Sequence, residues 1–429
     1  METTSGAGKS RPPRAPVRLI PPLLRENANF RRFFVGQAVS LLGDQVSAIA
    51  LPLTAVLVLH ANAGQMGALT TAFLIPNLLF SLHAGAWVDR RGRRREVMLL
   101  TDVGRAVLIG TIPIAYALGH LTWAQLYIVA FLSGCLSVLF GVAYGAFFQV
   151  IVPRDQYVEG NSLWHGSRAF SFVAGNSIGG ILVQLLRGPY ALALDALSYV
   201  WSALCLARID AEEPPGAPRE SGALLSGARW IRRNPVIRAE LLGVATLNLF
   251  NFMFFALFVL YATRNLGVRP ATLGIVLGAA SIGTVAGSFV TGRIARRIGI
   301  GPAFLVGCFL FPAPLILVPA AGGPHWLVLA CLFAAEFASG VGLMLLDITA
   351  GTISASIVPT ELRSRVSGAF MVVNYGVRPL GAALGGVLGA TLGVRPTLWI
   401  ATVGALAGVL WLLPSPIPRL RKLPEQAEA

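Results

Sequence analysis

The stretch Gly85–Val97 reads Gly-Ala-Trp-Val-Asp-Arg-Arg-Gly-Arg-Arg-Arg-Glu-Val and interrupts a long apolar region. The runs on either side, 66–88 and 97–118, each have the roughly 20 residues that a helix needs to cross a bilayer. Five arginines between positions 90 and 95 belong on the cytoplasmic face of a membrane, where anionic lipid attracts them. Gly85 lets the end of the preceding helix pack closely, and Gly92 permits a tight turn. Asp89 can accept hydrogen bonds from unpaired N–H groups at a neighbouring helix N-terminus. A plain basic loop explains the arginines, but not an acid framed by two glycines.

Outward from this loop the pattern repeats along all 429 residues. Hydrophobic residues make up 55% of the chain and charged residues 12%, against about 25% charged in a soluble domain. With a mean hydropathy of +0.70, this excludes a soluble enzyme, a disordered chain and a secreted disulfide scaffold. Twelve spans are expected, at about 33–59, 66–88, 97–118, 122–149, 161–186, 189–207, 239–262, 270–292, 301–321, 325–348, 366–391 and 393–413. Interior prolines such as Pro52, Pro76 and Pro113 are tolerable because neighbouring helices rescue the freed backbone groups. The net charge of +15 invites a nucleic-acid reading, but its distribution rejects one. Of the 34 Lys and Arg, 27 fall in the tails and alternate loops, four (Arg187, Arg264, Arg269, Arg395) in the opposite loops and three (Arg105, Arg168, Arg378) inside apolar segments. This is the positive-inside pattern of a multi-pass membrane protein with both termini in the cytoplasm, and the Arg-rich, Lys-poor composition leads to the expectation of a bacterial inner membrane.

Residues 1–32, Pro- and Arg-rich with no apolar core, read as a flexible cytoplasmic tail and not a signal peptide. Residues 208–238 form the longest polar interruption. Leu224, Leu225, Ala228, Trp230 and Ile231 alternate there with Arg229, Arg232 and Arg233, as in a basic amphipathic helix at a membrane interface. The linker separates a six-helix bundle over 33–207 from a second over 239–413, and 414–429 is a second cytoplasmic tail. The halves resemble each other at an offset of 206–207. Ile151-Val152-Pro153 matches Ile357-Val358-Pro359, Gly179-Gly180 matches Gly385-Gly386, Gly85–Gly92 matches Gly292–Gly299, and Gly36 and Asp44 match Gly243 and Asn251. A duplicated six-helix unit around a midplane site is the architecture of secondary transporters.

The loop resembles the signature G-x-L-a-D-r-x-G-r-k of the major facilitator superfamily, matched by Gly85, Asp89, Arg90, Gly92, Arg93 and Arg94, with Trp87 in place of Leu. Gln37–Pro52, Asp102–Ala106 and Ile357–Gly368 look like the enterobactin-exporter-like and macrolide-efflux-like branch. The resemblance covers roughly residues 30–413. It implies an all-α membrane fold of two six-helix bundles, and an export function. It also implies a cytoplasmic gate at Gly85, Asp89, Arg90, Gly92 and Arg93 that holds the outward-facing state. Proton-coupled drug antiporters of the family often carry G-P-x-x-G-G in span five; Gly175–Gly180 keeps the glycines but has Asn176 for Pro.

Charges inside the bilayer cost about 2.5–3.5 kcal/mol each and need partners. Asp44 lies near the middle of span one, where Gln37, Ser40, Asp44 and Ser47 share one helical face. It is a candidate for proton or substrate-cation binding, or a structural ion pair with Arg168 or Arg105. Glu336, near the middle of span ten, shares a face with Gly340, Leu343 and Asp347, and Arg378 in span eleven is its expected partner. Asp347 reads as half of a gate ion pair. In the superfamily fold spans three and six are peripheral, so the resemblance gives Asp102, Arg105 and Asp195 structural roles. Asn248, Asn251, Phe255 and Phe258 on span seven, with Phe140, Tyr144 and Phe147 on span four, suit a large, partly apolar substrate or ordinary helix packing. Ser281, Thr284, Ser288 and Thr291 on span eight fit close helix packing.

The five histidines are scattered and no GxxxxGK[ST] motif occurs, so no catalytic constellation, metal site, cofactor or direct ATP drive is expected. Cys135, Cys205, Cys308 and Cys331 read as small buried hydrophobes. The expected function is proton-coupled efflux of a small amphipathic drug, antibiotic or siderophore by a monomer. The expected partners are substrate, protons and lipid. A solute importer, a lysophospholipid flippase and a non-transporting sensor are the rival readings.

Overall fold

The computed structural model describes residues 21–215 and 223–421, and among these there is no strand. In the first half α1 (Ala28–Leu57), α2 (Ala63–Arg91), α3 (Arg94–Ala117), α4 (Trp123–Ile151), α5 (Tyr157–Leu186) and α6 (Gly188–Ala207) follow one another. An interface helix (Ala223–Arg233) then leads to α7 (Pro235–Leu260), α8 (Pro270–Ile298), α9 (Ile300–Leu310), α10 (His325–Ile357), α11 (Arg363–Thr391) and α12 (Val394–Leu406).

Local chemistry sets the helix ends. The Asn27 side chain accepts from the Phe30 N–H at 2.9 Å to start α1, and Asn62 and Gln65 form a reciprocal capping box for α2. Asn234 caps α7 with Pro235 at its first position. Gly92 ends α2 in the left-handed conformation at φ 68°, as the turn after Asp89 requires. Pro312 and Pro314 remove two backbone donors, so α9 breaks into a 3-10 turn over Ala313–Ile316 and a last helical turn over Leu317–Ala320.

Eleven helical segments among the described residues are long and apolar enough to cross a membrane. They correspond to every expected span except the one at 366–391. There α11 is 29 residues long, but Asn374, Tyr375, Arg378 and several glycines dilute its apolarity. The expected tail 1–32 falls partly outside the described residues. From residue 21 onward it differs from a flexible tail: Pro22–Glu26 is helical, Leu23 is fully buried and the Leu23 N–H donates to Glu159 at 3.0 Å. At the other terminus Ile417 is buried and the Leu420 carbonyl accepts from the Gly301 N–H; residues 422–429 lie outside the described part.

In the first half α1 packs on α5 and α6, α3 on α4 and α6, and α2 on α4; in the second α7 packs on α11 and α12, and α10 on α8 and α9. Two extensive crossings join the halves, α2 with α11 and α5 with α8. Both are backbone-to-backbone. A Cβ at Gly67 would lie 2.4 Å from the Gly386 Cα, and one at Gly180 would lie 2.8 Å from the Gly274 Cα. The repeat offset relates Gly67 to Gly274 and Gly180 to Gly386, so one glycine contact is used twice. Polar contacts reinforce it: Ala271 N–H to Gln184 Oε1 at 3.2 Å, and Thr71 Oγ1 to the Pro379 carbonyl at 3.3 Å.

These joints, and the one core cluster shared by both halves (Leu53, Met66, Leu257, Phe258, Leu273), lie away from the Arg-rich loops. Toward the basic end each half has its own core, around Phe33 and Phe147 in the first and Phe304 and Leu346 in the second. Gly141, Gly145, Gly166 and Gly351 there have no non-local atom within 4 Å of a built Cβ. The halves are therefore joined most closely at the end away from the Arg-rich loops. Of the two readings open to Phe147 and Phe258, burial favours ordinary helix packing: they sit in these cores at 0% and 1% exposure.

Candidate transport site

The expected face of α1 is buried against α6. Gln37 Nε2 donates to Ser202 Oγ at 2.9 Å, Ser47 donates to Asp195, and Tyr199 donates its hydroxyl proton to Asp44. The crossing needs glycine on α1, because a Cβ at Gly43 would lie 2.3 Å from Asp195 Oδ1. On α3, Arg105 Nη2 donates to Asp102 Oδ1 at 2.5 Å, and its Nη1 stands 4.0 Å from Asp44 Oδ1. Ser202 closes the circuit by donating to Asp102 Oδ2 at 2.6 Å.

The guanidinium is sandwiched, 4.4 Å from the ring centroids of both Phe140 and Tyr199. Its side chain is 5% exposed and that of Asp102 0%, whereas that of Asp44 is 36% exposed. Two carboxyls thus share one guanidinium, and Asp44 is the more accessible of the two. Of the two basic partners open to Asp44 in the sequence, the structure selects Arg105. Arg168 is exposed on α5 and lies over Phe172 at 5.9 Å. Asp102, Arg105 and Asp195, expected to be structural, are buried where α3 and α6 face α1 and lie in one network with Asp44.

The second half is arranged differently. Glu336 is 3% exposed and its Oε1 has no hydrogen-bond partner among the described residues. The expected Glu336–Arg378 pair is not formed. Arg378 lies 4.2 Å from the Tyr375 ring centroid and 5.0 Å from that of Phe252. Helical register explains this, since Arg378 and Tyr375 are three apart on α11 and share a face toward α7. Asn248 Nδ2 donates to Asn374 Oδ1 at 2.9 Å, Asn251 is 8% exposed, and Phe255 is exposed. Tyr144 stacks on Phe33 and Trp164 (centroids 5.3 and 4.3 Å away), next to Phe140.

Three groups escaped sequence reasoning. Tyr199 and Ser202 had a legible signal, since Asp195, Ser198, Tyr199 and Ser202 run i, i+3, i+4, i+7 on α6, a polar face to match that of α1. Glu240 on α7, 2% exposed and held by Ser354 Oγ at 3.1 and 3.2 Å, was legible only as an acid inside an apolar run.

At the basic loop Gly85 is buried, Asp89 is half-buried and Arg90 is exposed. Arg93 and Arg91 pair with Glu96 at 3.4 and 3.6 Å. The N-terminus of α3 is capped from the linker: Glu213 accepts from the Arg94 and Arg95 N–H groups at 2.5 and 2.9 Å. No cluster of three or more His, Cys, Asp or Glu able to hold a metal occurs among the described residues.

Eleven membrane-length apolar helices among the described residues, in two joined halves with charged side chains buried among them, are the build of a membrane transporter, in which side chains bind and release cargo without making or breaking its bonds. The family comparison agrees, with the Major Facilitator Superfamily model matching residues 33–382 and 241–429. The chain belongs to the major facilitator superfamily, whose members are transporters and not enzymes. It is 28% identical over 410 residues to the multidrug efflux pump Tap of Mycolicibacterium fortuitum, covering 89% of this chain and 93% of that protein. It is 26% identical over 390 residues to the uncharacterized MFS-type transporter YfiS of Bacillus subtilis, covering 87% and 89%. Among solved structures, a bacterial homologue of the iron transporter ferroportin in an inward-facing state superposes with a TM-score of 0.71 at 17% identity, over 91% of this chain and 98% of that one.

Proposed function

We propose that the protein exports a small amphipathic molecule across the bacterial inner membrane in exchange for protons, with both termini and the basic loops in the cytoplasm. Helix α11 is the twelfth span, and the halves 33–207 and 239–413 rock about the glycine crossings. The multidrug efflux relative supports export of a drug-like cargo. The aromatic and amide side chains Phe140, Tyr144, Asn248, Asn251 and Phe255 suit such a cargo. A siderophore has the same amphipathic character.

One observation carries the coupling: Asp44, at mid-span, is the partly accessible member of an otherwise buried charge network. It can bind a proton from one side and give it up to the other as access alternates. A charge moving through 100 mV supplies about 2.3 kcal/mol, roughly a fifty-fold gradient. Glu336 is the second candidate proton carrier, buried and with its Oε1 lacking a hydrogen-bond partner among the described residues. Arg378, Asn248 and Asn251 line the cargo's path, with Arg168 at its basic end. The loop residues Gly85, Asp89, Arg90, Gly92 and Arg93 form the cytoplasmic gate.

The test uses everted vesicles with a pre-formed pH gradient and a panel of macrolides, other amphipathic antibiotics and siderophores. Collapse of the gradient with wild type but not with Asp44→Asn is the expected result. Collapse with both moves the proton to Glu336, and no response to any compound refutes proton-coupled export of this class.

A further inference from the structure

The network around Asp44 holds more than a simple ion pair requires. Arg105 is bonded to Asp102 at 2.5 Å and stands off from Asp44 at 4.0 Å. Asp102 is itself fixed by Ser202, which Gln37 of α1 fixes in turn. The guanidinium is clamped between two rings. A small swing, and no change of helix packing, separates bonding to one acid from bonding to the other.

We propose that Asp102 is a positioning residue for Asp44: it is the standing counter-ion that keeps Arg105 within reach of Asp44 and reclaims the guanidinium whenever Asp44 takes up a proton or a cation. The proposal rests on the reading of Asp44 as the exchangeable acid. An isolated Arg105–Asp44 pair would hold Asp44 too firmly, since separating a buried pair strands both charges. With Asp102 present, Arg105 always has one partner, and the charge lost at Asp44 on protonation leaves no stranded guanidinium. The exchange balances: Asp44 gains one proton, Nη1 withdraws, and the Asp102–Arg105 pair remains neutral.

The other groups facing Asp44 are few. From α6 come Tyr199, which donates to it, and Asp195, held by Ser47 and Ser198. From α4 comes Phe140, by way of Arg105. Helix α5 meets α1 through Gly175 and Gly179 and keeps Arg168 on Phe172. Helix α7 keeps Glu240 on Ser354. The second half has no copy of the device. Asn251 stands at the repeat position of Asp44, and Phe311 and Pro312 stand at those of Arg105.

The experiment reads the protonation of Asp44 itself. Infrared titration of the carboxyl C=O band, on the full chain in lipid nanodiscs, isolates Asp44 as the difference between each protein and its Asp44→Asn derivative. In Asp102→Asn, Arg105 has only Asp44 to bond, and the Asp44 midpoint moves acidward by at least about one pH unit. In Arg105→Gln, Asp44 faces the Asp102 anion with no cation between them, and the midpoint moves alkaline. Asp102→Glu restores the wild-type value. The double variant Asp102→Asn/Arg105→Gln removes the pair whole, which a fold tolerates better than losing one partner, and it reverses the alkaline shift of Arg105→Gln. Loss of packing alone would not give shifts of opposite sign. An Asp102→Asn midpoint within about 0.3 unit of wild type, or a double variant that titrates like Arg105→Gln, overturns the proposal. Parallel proton-flux measurements separate the two readings: flux absent in wild type with the opposite shifts present would sink the export mechanism and leave the positioning role standing.

Discussion

Replacing Gly67 or Gly274 by alanine should force open the end of the transporter away from the Arg-rich loops, which is the outer end in the proposed orientation. A Cβ at Gly67 would lie 2.4 Å from the Gly386 Cα, and one at Gly274 would lie 2.5 Å from the Asn176 carbonyl oxygen, whereas ordinary contact starts at 3.4 Å. Each pair of helices must therefore part by about 1 Å in a region packed as densely as a crystal. Such overpacking costs about 1–3 kcal/mol. Only the state with the crossing closed bears that cost. The balance between the inward-open and outward-open states should then shift by about 5- to 150-fold per substitution, and the two substitutions should nearly add because the crossings are separate. Spin labels on His120→Cys and Gly322→Cys, in a background without the native cysteines, report the outer distance between the halves. The expected result is a longer-distance population that grows from wild type to either single variant to the double. Gly145→Ala, whose Cβ meets nothing within 4 Å, should leave the distribution unchanged. If both crossing variants give the wild-type distribution, the glycine contacts are not what closes the outer end.

Arg168→Gln should leave proton coupling in everted vesicles intact while Arg105→Gln abolishes it, since only Arg105 is in range of Asp44; equal losses would contradict the assignment. Glu213→Ala uncaps α3 and should lower stability by about 0.5–2 kcal/mol, read as a lower melting temperature in detergent with transport per folded molecule retained. Leu23→Ala should cost about 2–5 kcal/mol by emptying a fully buried site at the basic end. Asn374→Ala leaves the Asn248 amide without its side-chain partner and should weaken cargo binding with little effect on the proton midpoint of Asp44; a changed midpoint with unchanged binding would reverse these roles.

Much of the fold is legible in residue order, because bilayer thickness dictates span length and lipid charge dictates where arginines fall. The duplication is legible as well, in the shared offset of Gly180 and Gly386. That each of these glycines would meet the repeat-mate of the other's partner is not, because helix neighbours are a property of the assembled bundle. The site divides the same way. Periodicity exposes the face Gln37–Ser40–Asp44–Ser47, and the matching face on α6 carries a signal of equal clarity that points at nothing until α1 and α6 lie side by side. Choosing Arg105 over Arg168 requires knowing which helices flank α1. Expecting Glu336 to meet Arg378 fails for a related reason: both are near mid-span, but depth does not fix azimuth, and Tyr375 and Phe252 already occupy the side of α11 to which Arg378 points. Helix α11 is hard to read as a span because the residues that face its neighbours, Asn374, Tyr375, Arg378 and the glycines, dilute the apolar average.

At the glycine crossings main chain meets main chain, and this bears on how such a protein can diversify. A seal made of side chains would have to be redesigned whenever the lining of the cavity changed, because the same substitutions would alter both. Here the positions proposed to meet the cargo (Asn248, Asn251, Phe255) and the positions that hold the halves together (Gly67, Gly180, Gly274, Gly386) do not overlap. A lineage could therefore explore new cargoes by drift at the wall while the hinge stays fixed. A mutagenesis library confined to the wall should yield altered drug profiles far more often than inactive proteins.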